Sequence, residues 1–199
     1  MKSLVLASGN PGKKAEIERL LEPLGTRVVT QTELGLTEAE EPHQTFLENA
    51  LAKARHACMA TRLPALADDS GLCVAALGGE PGVHSAYYAG TEGDRATRDA
   101  RNNLKLLQAL GGRSDRQAHY HCVLVLMRGP ADPQPLVAQA DWHGEIATAP
   151  RGTGGFGYDP LFLLPGLNKT AAELDPEEKN RLSHRGQALA RLLELLRAP

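Results

Sequence analysis

Hydrophobic residues recur along this chain with two kinds of spacing, which predicts both helices and strands. Apolar positions three and four residues apart predict helices over residues 13–24, 45–62, 94–110 and 183–198. Short apolar runs predict strands over residues 3–8, 26–31, 118–129 and 135–147, and over 65–77 with a sharp break inside that segment. Because continuous and alternating strands occur together with helices, we predict an α/β fold with a mixed sheet.

Polar residues at the segment ends indicate where helices begin. Thr45 and Glu48 have the spacing of a capping box, and Ser183 is the expected N-cap of the last helix. The second helix is expected to bury one apolar stripe, formed by Leu47, Ala50, Leu51, Ala54 and Cys58. Asn49 and Lys53, four residues apart, would then share a face outside that stripe.

The length and the lack of a linker rich in Pro and Ser predict a single domain over residues 1–199. The hairpin over 118–147 and the region 78–112 are expected to form a second lobe. We therefore predict flanking helices on a mixed sheet, with two lobes around a central cleft.

Composition and charge exclude several classes of protein. Hydrophobic residues make up 42% and charged residues 23%, which is an ordinary globular balance. The net charge of -2 gives no general attraction to nucleic acid or membranes. The start MKSLVLASGN reads as a strand and not as a signal peptide, and the three cysteines lack metal-site spacing. We expect a soluble cytoplasmic protein with reduced thiols and with no nucleic-acid or membrane partner.

The stretch SGNPGKK, residues 8–14, predicts a strand, a tight turn and a helix that begins near Lys13. Free N–H groups at a helix N-terminus favour phosphate, and Lys13 adds a positive charge. Ala7 and Lys14 stand where a P-loop would have Gly and Ser or Thr, so this is not that motif. A plain turn followed by a solvated lysine is the alternative.

Two acidic stretches are candidate ligands for Mg²⁺, which prefers oxygen ligands. Glu38, Glu40 and Glu41 precede the second helix, although a solvated acidic loop is the more common explanation of such a charge run by itself. Asp68 and Asp69 could share one site only where their strand breaks, because neighbours on a regular strand point to opposite faces. Lys53 could reach a phosphate, or it could be an ordinary exposed lysine.

The stretch GTGGFGYDP, residues 152–160, contains several glycines around one aromatic residue. Ordering glycines is costly, so a close backbone approach is expected there. Phe156 and Tyr158 could stack on a ring while Asp159 accepts from its N–H groups. A tight turn with both aromatic residues in the core is the alternative.

Histidines at two places are candidate functional groups. His184 and Arg185 open the last helix, where positive charge is unfavourable, so an anion or acceptor is expected nearby. His119 and His121 share one face of a strand. Without a third ligand they read better as half-exposed strand residues than as a metal site.

Several motifs occur together in one order: SGNPGK, EE before TFLENALAKA, ADDSGL, GGEPGVHSA, NN with KLL, GTGGFGYDP, and EEK before SHRGQAL. In this combination the chain resembles the inosine/xanthosine triphosphate pyrophosphatase family almost from end to end. The resemblance implies an elongated mixed α/β fold, a homodimer and a requirement for Mg²⁺. It implies hydrolysis of non-standard purine nucleoside triphosphates (dITP or ITP, XTP or dXTP) to the monophosphate and pyrophosphate.

The resemblance also implies roles by position. The catalytic group would be Asp69 (which activates water), Lys53 (which also serves the phosphates) and Asp68, and Mg²⁺ would be held by Glu41 and Asp69. The triphosphate would be held by Ser8, Gly9, Asn10, Pro11, Gly12 and Lys13. Ser70 would touch the substrate, and the base would be recognised by Phe156, Gly157, Tyr158, Asp159, Lys179, His184 and Arg185.

One stretch departs from the family pattern. Relatives usually have Tyr-Ser-Ala-Arg-Tyr after the Pro-Gly, whereas residues 84–88 here are His-Ser-Ala-Tyr-Tyr. The missing arginine affects any role of this loop in phosphate contact or dimer packing. Two other classes remain open: a pyrophosphatase for a different base, such as the Maf-like septum proteins, and a nucleotide-binding module without catalysis.

Overall fold

Helices and strands alternate through the part of the chain that the computed structural model describes, residues 3–21 and 25–197 without the side chains at 16 and 20. The helices are α1 (Pro11–Leu21), α2 (Phe46–Thr61), α3 (Arg95–Leu110), α4 (Pro176–Leu182) and α5 (His184–Arg197). The strands are β1 (Ser3–Leu6), β2 (Arg27–Thr30), β3 (Ala65–Val74), β4 (Gln117–Met127), β5 (Leu136–Ile146), β6 (Phe162–Leu164) and β7 (Lys169–Thr170).

The strands form one hydrogen-bonded sheet in the order β2-β1-β3-β4-β5-β6-β7. Strand β1 runs parallel to β2 and β3, and β6 runs antiparallel to β5 and β7. The predicted α/β fold with a mixed sheet is therefore confirmed. The chain divides into two compact units, and the cleft between two lobes stays a prediction.

Unit 1 comprises residues 1–69, 122–140 and 184–199, of which 1, 2, 22–24, 198 and 199 lie outside the described residues. Both faces of its part of the sheet are covered. Leu4, Leu6 and Leu66 pack with residues of α1 and α5. On the other face, Val5 and Ala67 pack with small residues of α2. Strands covered on both sides read as continuous apolar runs, as these do.

Unit 2 comprises residues 70–121 and 141–183. Its core contains a group of aromatic rings in contact: the centroids of Tyr120 and Phe162 are 4.7 Å apart, and those of Trp142 and Phe162 are 5.1 Å apart. Leu106 and Leu110 of α3 pack against this group. The glycine-rich segments 78–93 and 152–160 both belong to this unit.

The predicted break in residues 65–77 is wrong, because β3 runs without interruption through Ser70 and Gly71. A regular strand directs successive side chains to opposite faces. Leu66 belongs to the core shared with α1 and α5, and Ala67 to the core shared with α2. Asp68 and Asp69 continue this alternation, so their side chains lie on different faces of the sheet.

Helix α2 differs from the predicted stripe at three positions. Leu47 is 39% exposed, whereas Asn49 and Lys53 are only 1% and 9% exposed. Small residues occupy most of the buried face of α2, so the helix packs close to the sheet. Asn49 and Lys53 are buried as a consequence. The predicted N-cap is confirmed, since the hydroxyl of Thr45 accepts from the N–H of Glu48 at 3.2 Å.

Other helix ends agree with the sequence to within a few residues. Asp94 caps α3, which ends before Gly111 as predicted. Ser183 receives the end of α4, its N–H donating to the carbonyl of Lys179 at 2.8 Å, and it directly precedes α5, at the predicted N-cap position. The predicted ends of the first and last helices, residues 22–24 and 198, lie outside the described residues. No helix of the described part is long and apolar enough to cross a bilayer.

Candidate active site

The segment from Ser8 to Lys13 forms a capped helix start in unit 1. The side-chain oxygen of Asn10 accepts from the N–H groups of Gly12 and Lys13 at 2.9 and 3.3 Å. The N–H of Asn10 donates to the hydroxyl of Ser8 at 3.2 Å, and Pro11 is the first residue of α1. Asn10 therefore holds the turn in a defined shape and satisfies N–H groups that a phosphate could otherwise bind.

Gly9 lies close to the acidic segment before α2. A Cβ atom at this position would lie 2.8 Å from Oε1 of Glu38 and 3.1 Å from Oγ1 of Thr32. The predicted phosphate-binding turn and the acidic segment therefore adjoin each other within unit 1.

Asp68 is completely enclosed by positive groups. The ammonium of Lys13 pairs with Oδ1, Nε of Arg185 pairs with Oδ2 at 2.7 Å, and Sγ of Cys122 lies 3.6 Å from Oδ2. Burial by itself would raise the pKa of Asp68, but the charges of Arg185 and Lys13 outweigh burial and hold the pKa well below its usual range. Asp68 is thus an ionised anchor that fixes two cations.

Asp68 of β3 is the anion that the sequence predicts near the start of α5. His184 and Arg185 are 5% and 3% exposed, so both are buried at a helix N-terminus. Because Arg185 pairs with Asp68, its charge is balanced against the unfavourable helix dipole. The predicted acceptor near this helix start is confirmed.

Asp69 faces a different lysine. Its Oδ1 lies 2.7 Å from Nζ of Lys53, and the same nitrogen lies 3.4 Å from Oε1 of Glu41. Burial raises the pKa of Asp69, and the charge of Lys53 offsets only part of that rise. Burial would lower the pKa of Lys53, but Asp69 and Glu41 raise it overall. The lysine therefore stays charged between two carboxylates.

A divalent cation fits this group. Oδ2 of Asp69 is buried and has no hydrogen-bond partner among the described residues. Glu41 and Asp69 already share one cation, the ammonium of Lys53. Within residues 3–21 and 25–197 no set of three His, Cys, Asp or Glu side chains is arranged to hold a metal. The two carboxylates of Glu41 and Asp69 suit Mg²⁺, which commonly uses one or two carboxylates and completes its shell with water and phosphate oxygens.

Asn49 is a residue of this group that the sequence reasoning did not assign to the site. Its amide accepts from the N–H of His43 at 3.0 Å and donates to the carbonyl of His43 at 3.2 Å. His43 lies two residues after Glu41, so Asn49 fixes the acidic segment beside Lys53. A polar residue four positions before a buried lysine on one helix face was the available signal.

In unit 2 the carboxylate of Asp159 organises the glycine-rich segment 152–160. Oδ2 accepts from the N–H of Phe156 at 2.7 Å and from Nζ of Lys179 at 2.7 Å, and Oδ1 lies 3.5 Å from the hydroxyl of Tyr120. A Cβ atom on Gly155 would lie 2.1 Å from Oδ2. The expected close backbone approach is confirmed, and Asp159 binds the N–H of Phe156 within its own segment.

Phe156 lies beside two cations. Nζ of Lys179 is 4.8 Å from the ring centroid and Cζ of Arg95 is 4.5 Å from it. Arg95, in the first turn of α3, was not singled out from the sequence, where nothing links it to a residue 61 positions later. Phe156 is partly exposed, so it retains surface for a ligand.

Tyr158 lies in the core, as the alternative interpretation of this segment predicts. It is 3% exposed in the core of unit 2, and its hydroxyl donates to the carbonyl of Ser85 at 2.9 Å. Burial raises the pKa of this phenol, so it stays neutral. Tyr158 is therefore a core residue that supports the glycine-rich segment 152–160, and Phe156 is the ring available for stacking.

The loop that departs from the family pattern is folded as a short 3₁₀ helix over residues 82–87. The hydroxyl of Ser85 accepts from the N–H of Leu72 at 2.8 Å and donates to the carbonyl of Gly82 at 2.6 Å. Tyr87, at the position of the missing arginine, is 51% exposed. The exchange therefore changes the surface and leaves the loop's internal bonds in place.

The two strand histidines are half-buried, as the sequence indicated. Nδ1 of His121 lies 2.5 Å from Oδ1 of Asp141, and the ring of His119 lies 5.5 Å from that of His143.

The predicted site residues thus fall into two groups. The unit 1 group is Ser8, Gly9, Asn10, Pro11, Gly12, Lys13, Glu41, Lys53, Asp68, Asp69, His184 and Arg185. The unit 2 group is Ser70, Phe156, Gly157, Tyr158, Asp159 and Lys179. Within the first, Asp69 with Lys53 and Glu41 is separate from Asp68 with Lys13 and Arg185.

Comparisons with known proteins find relatives that match along almost the whole chain. A dITP/XTP pyrophosphatase of Nitrosomonas europaea is 64% identical over 196 residues, which are 98% of this chain and 95% of that protein. A protein of the same name from Ralstonia nicotianae is 62% identical over 197 residues, 99% of this chain and 98% of that protein. The relatives named for the predicted activity therefore match nearly full length.

Solved structures show the same fold. A HAM1 protein from Coxiella burnetii matches with a TM-score of 0.90 and 52% identity, and the Staphylococcus aureus Ham1 protein with a TM-score of 0.85 and 40% identity. Each match covers 98% of both chains. The Ham1 family model matches residues 4–195, and the chain therefore belongs to the Ham1 family.

Proposed function

We propose that this protein is a nucleoside-triphosphate pyrophosphatase that hydrolyses dITP or ITP and XTP or dXTP to the monophosphate and pyrophosphate. The observation that carries the proposal is the buried Asp69 carboxylate, which has one oxygen on Lys53 and one without a partner among the described residues. The substrates follow from the name that the relatives at 64% and 62% identity carry.

The phosphates are assigned to unit 1. A triphosphate carries about four negative charges, so nearby positive groups stabilise it and the charge that develops during reaction. Lys53 and Lys13 supply formal charge, and the capped start of α1 supplies the positive end of a helix dipole. Since Asp68 holds both Lys13 and Arg185, we assign it to positioning these cations.

Mg²⁺ is assigned to Glu41 and Asp69. The ion, when bound, neutralises phosphate charge and polarises phosphate oxygens. Asp69 accepts a proton from the attacking water as the general base. The water attacks one phosphorus, and pyrophosphate leaves.

The base is assigned to Phe156 and Lys179 of unit 2. Hypoxanthine and xanthine carry a 6-oxo group where adenine carries an amino group. A site that donates to the oxo group leaves donors unpaired with adenine, at a cost of roughly 1–3 kcal/mol per contact. Homodimer formation is a further part of this proposal and follows from the family resemblance. Cytoplasmic location is another part and follows from the reduced thiols expected of the sequence.

Asp69→Asn tests the proposal directly. We expect kcat with dITP to fall by at least a hundredfold, the lower range for loss of a general base, while circular dichroism shows a folded protein. Asp115→Asn, at an exposed aspartate, is the matched control and should keep wild-type activity. Near-normal turnover by Asp69→Asn would overturn the assignment.

The wild-type protein separates the remaining alternatives. Pyrophosphate release is measured from dITP, XTP, ATP, GTP and pyrimidine triphosphates, with and without Mg²⁺. Release from dITP and XTP only with Mg²⁺ supports the proposal, and preference for another base would favour a Maf-like activity. Tight Mg²⁺-nucleotide binding by calorimetry without hydrolysis would favour a binding module.

A further inference from the structure

Two side chains of α3 hold one peptide of the aromatic segment in unit 2. Oδ2 of Asp99 accepts from the N–H of Gly157 at 2.8 Å, and Nδ2 of Asn103 donates to the carbonyl of Gly157 at 2.8 Å. Both polar groups of a single residue, next to Phe156, are therefore bound by side chains from 54 or more positions earlier. Hydrogen bonds to both its N–H and its carbonyl fix the position and the orientation of Gly157.

Asp99 and Asn103 lie on one face of α3, together with Arg95. Arg95, Asp99 and Asn103 are spaced by four residues, which places them on successive turns of α3. Nε of Arg95 lies 3.8 Å from Oδ2 of Asp99, and its guanidinium lies over the ring of Phe156. The same row therefore contacts the ring and the peptide that follows it.

Asn103 is not explained by stability alone. Its Nδ2 also donates to the carbonyl of Asp99 at 2.8 Å, but its Oδ1 is buried without a hydrogen-bond partner among the described residues. A buried acceptor without a partner is destabilising. A residue kept at such a position is one whose donor is needed, here for the carbonyl of Gly157.

The adjacent Asn102 has a separate task. Its amide accepts from the N–H of Ala89 at 2.7 Å and donates to the carbonyls of Ser85 and Ala86, both at 3.2 Å. Asn102 and Asn103 therefore bind two different loops, and Asn102 binds the loop over residues 82–89. This division makes Asn103 and Asp99 separable from Asn102 by mutation.

We propose that Asp99 and Asn103 are positioning residues that hold Gly157 so that Phe156 is presented for stacking on the purine base. This inference rests on the proposed function, because it assigns a task to the base-binding segment. Neither residue is expected to take part in phosphate chemistry, since their contacts are to the backbone of residue 157. The variants should therefore weaken recognition of the base and spare the binding of phosphate.

The test compares Asp99→Ala, Asp99→Asn and Asn103→Asp with the wild type. Asp99→Asn keeps an acceptor oxygen for the N–H of Gly157, whereas Asn103→Asp keeps the size but replaces the donor by an oxygen. Loss of a bond to a charged or buried group is expected to raise KM for dITP about tenfold in Asp99→Ala and Asn103→Asp. The kcat should change less than twofold, and Asp99→Asn should recover most of the KM.

Binding to two products separates positioning from general damage. Affinity for dIMP, which carries the base, should fall about tenfold in the two damaging variants, and affinity for Mg²⁺-pyrophosphate should stay at the wild-type value. Wild-type KM and dIMP affinity in both variants, or an equal loss for dIMP and pyrophosphate, would overturn the inference. The proposed function fails separately, if the wild type releases no pyrophosphate from dITP or XTP.

Discussion

Asp68 and Asp69 are adjacent in sequence, but their carboxylates meet different surroundings because β3 is a regular strand. Arg185 and Lys13 lower the pKa of Asp68 against the effect of burial, whereas burial raises the pKa of Asp69 in spite of Lys53. The first carboxylate is held ionised by two partners and the second keeps one oxygen available. Neighbouring residues of one type therefore divide into an anchor and a candidate base.

Glu33 allows a single-residue test of how the helix start in unit 1 is held. Its carboxylate accepts from Nζ of Lys14 at 2.6 Å and from the N–H of Thr30 at 2.8 Å, and these bonds lower its pKa from 4.5 to about 2. A carboxyl group whose pKa is lower in the folded state stabilises that state above its unfolded pKa. This contribution is lost as the pH falls from about 4.5 towards 2.

We therefore expect Glu33→Gln to reduce the free energy of unfolding at pH 6 and to have a smaller effect at pH 3.5. Urea unfolding at both pH values measures the difference between variant and wild type. Glu40→Gln, at an exposed carboxylate in the same segment, controls for the loss of one negative charge. Equal differences for Glu33→Gln at the two pH values would contradict the linkage.

At the scale of elements, the glycine-rich segment 152–160 depends on one close approach. Gly155 has a φ of +73°, and a Cβ atom there would lie 2.1 Å from Oδ2 of Asp159. That oxygen also binds Phe156 and Lys179. A side chain at Gly155 would therefore displace the carboxylate that organises the whole segment.

Gly155→Ala should lower the free energy of unfolding by more than Gly157→Ala does. Gly157 has a similar φ of +64° but nothing within 4 Å of an added Cβ, so its variant measures backbone strain alone. That strain is worth about 1–3 kcal/mol, and the excess in Gly155→Ala measures the clash with Asp159. Urea unfolding gives both values, and equal losses would show that the carboxylate yields without cost.

The elements that follow local rules could be predicted from the sequence. Helix α3 has its apolar spacing and Gly111 after its end, and it lies where these signals place it, apart from Asp94, which caps the helix. The predicted break in β3 failed because glycine permits a bend without requiring one. Burial of Lys53 was not foreseen either, since its partner Asp69 lies 16 positions later.

Much of the candidate site depends on contacts between distant positions, which local patterns do not encode. Asp68 and Arg185 are 117 positions apart, and Gly157 and Asp99 are 58 apart. The residue types were recognisable because the motifs occur together in a family order. The pairing of each carboxylate with its own cation required the fold.

At the scale of the whole molecule, the strand β3 connects the two compact units through a continuous backbone. The residues of β3 up to Asp69 belong to unit 1, and its residues from Ser70 onward belong to unit 2. Leu66 and Leu72 are both fully buried, one in the core of each unit. Each core therefore needs its own half of this one strand in place, so we propose that the units unfold together, as one domain would.

Leu66→Ala tests this coupling with a reporter in the other unit. The substitution should cost about 2–5 kcal/mol, the usual range for truncating a buried leucine. Trp142, the single tryptophan, is 6% exposed in the core of unit 2 and reports that unit by fluorescence. We expect its urea transition to shift to the same lower midpoint as the far-ultraviolet circular dichroism. Leu72→Ala, in the core around Trp142, gives the shift expected for direct damage. A Trp142 transition that stays at the wild-type midpoint in Leu66→Ala, while the dichroism curve splits in two, would show that the units unfold independently.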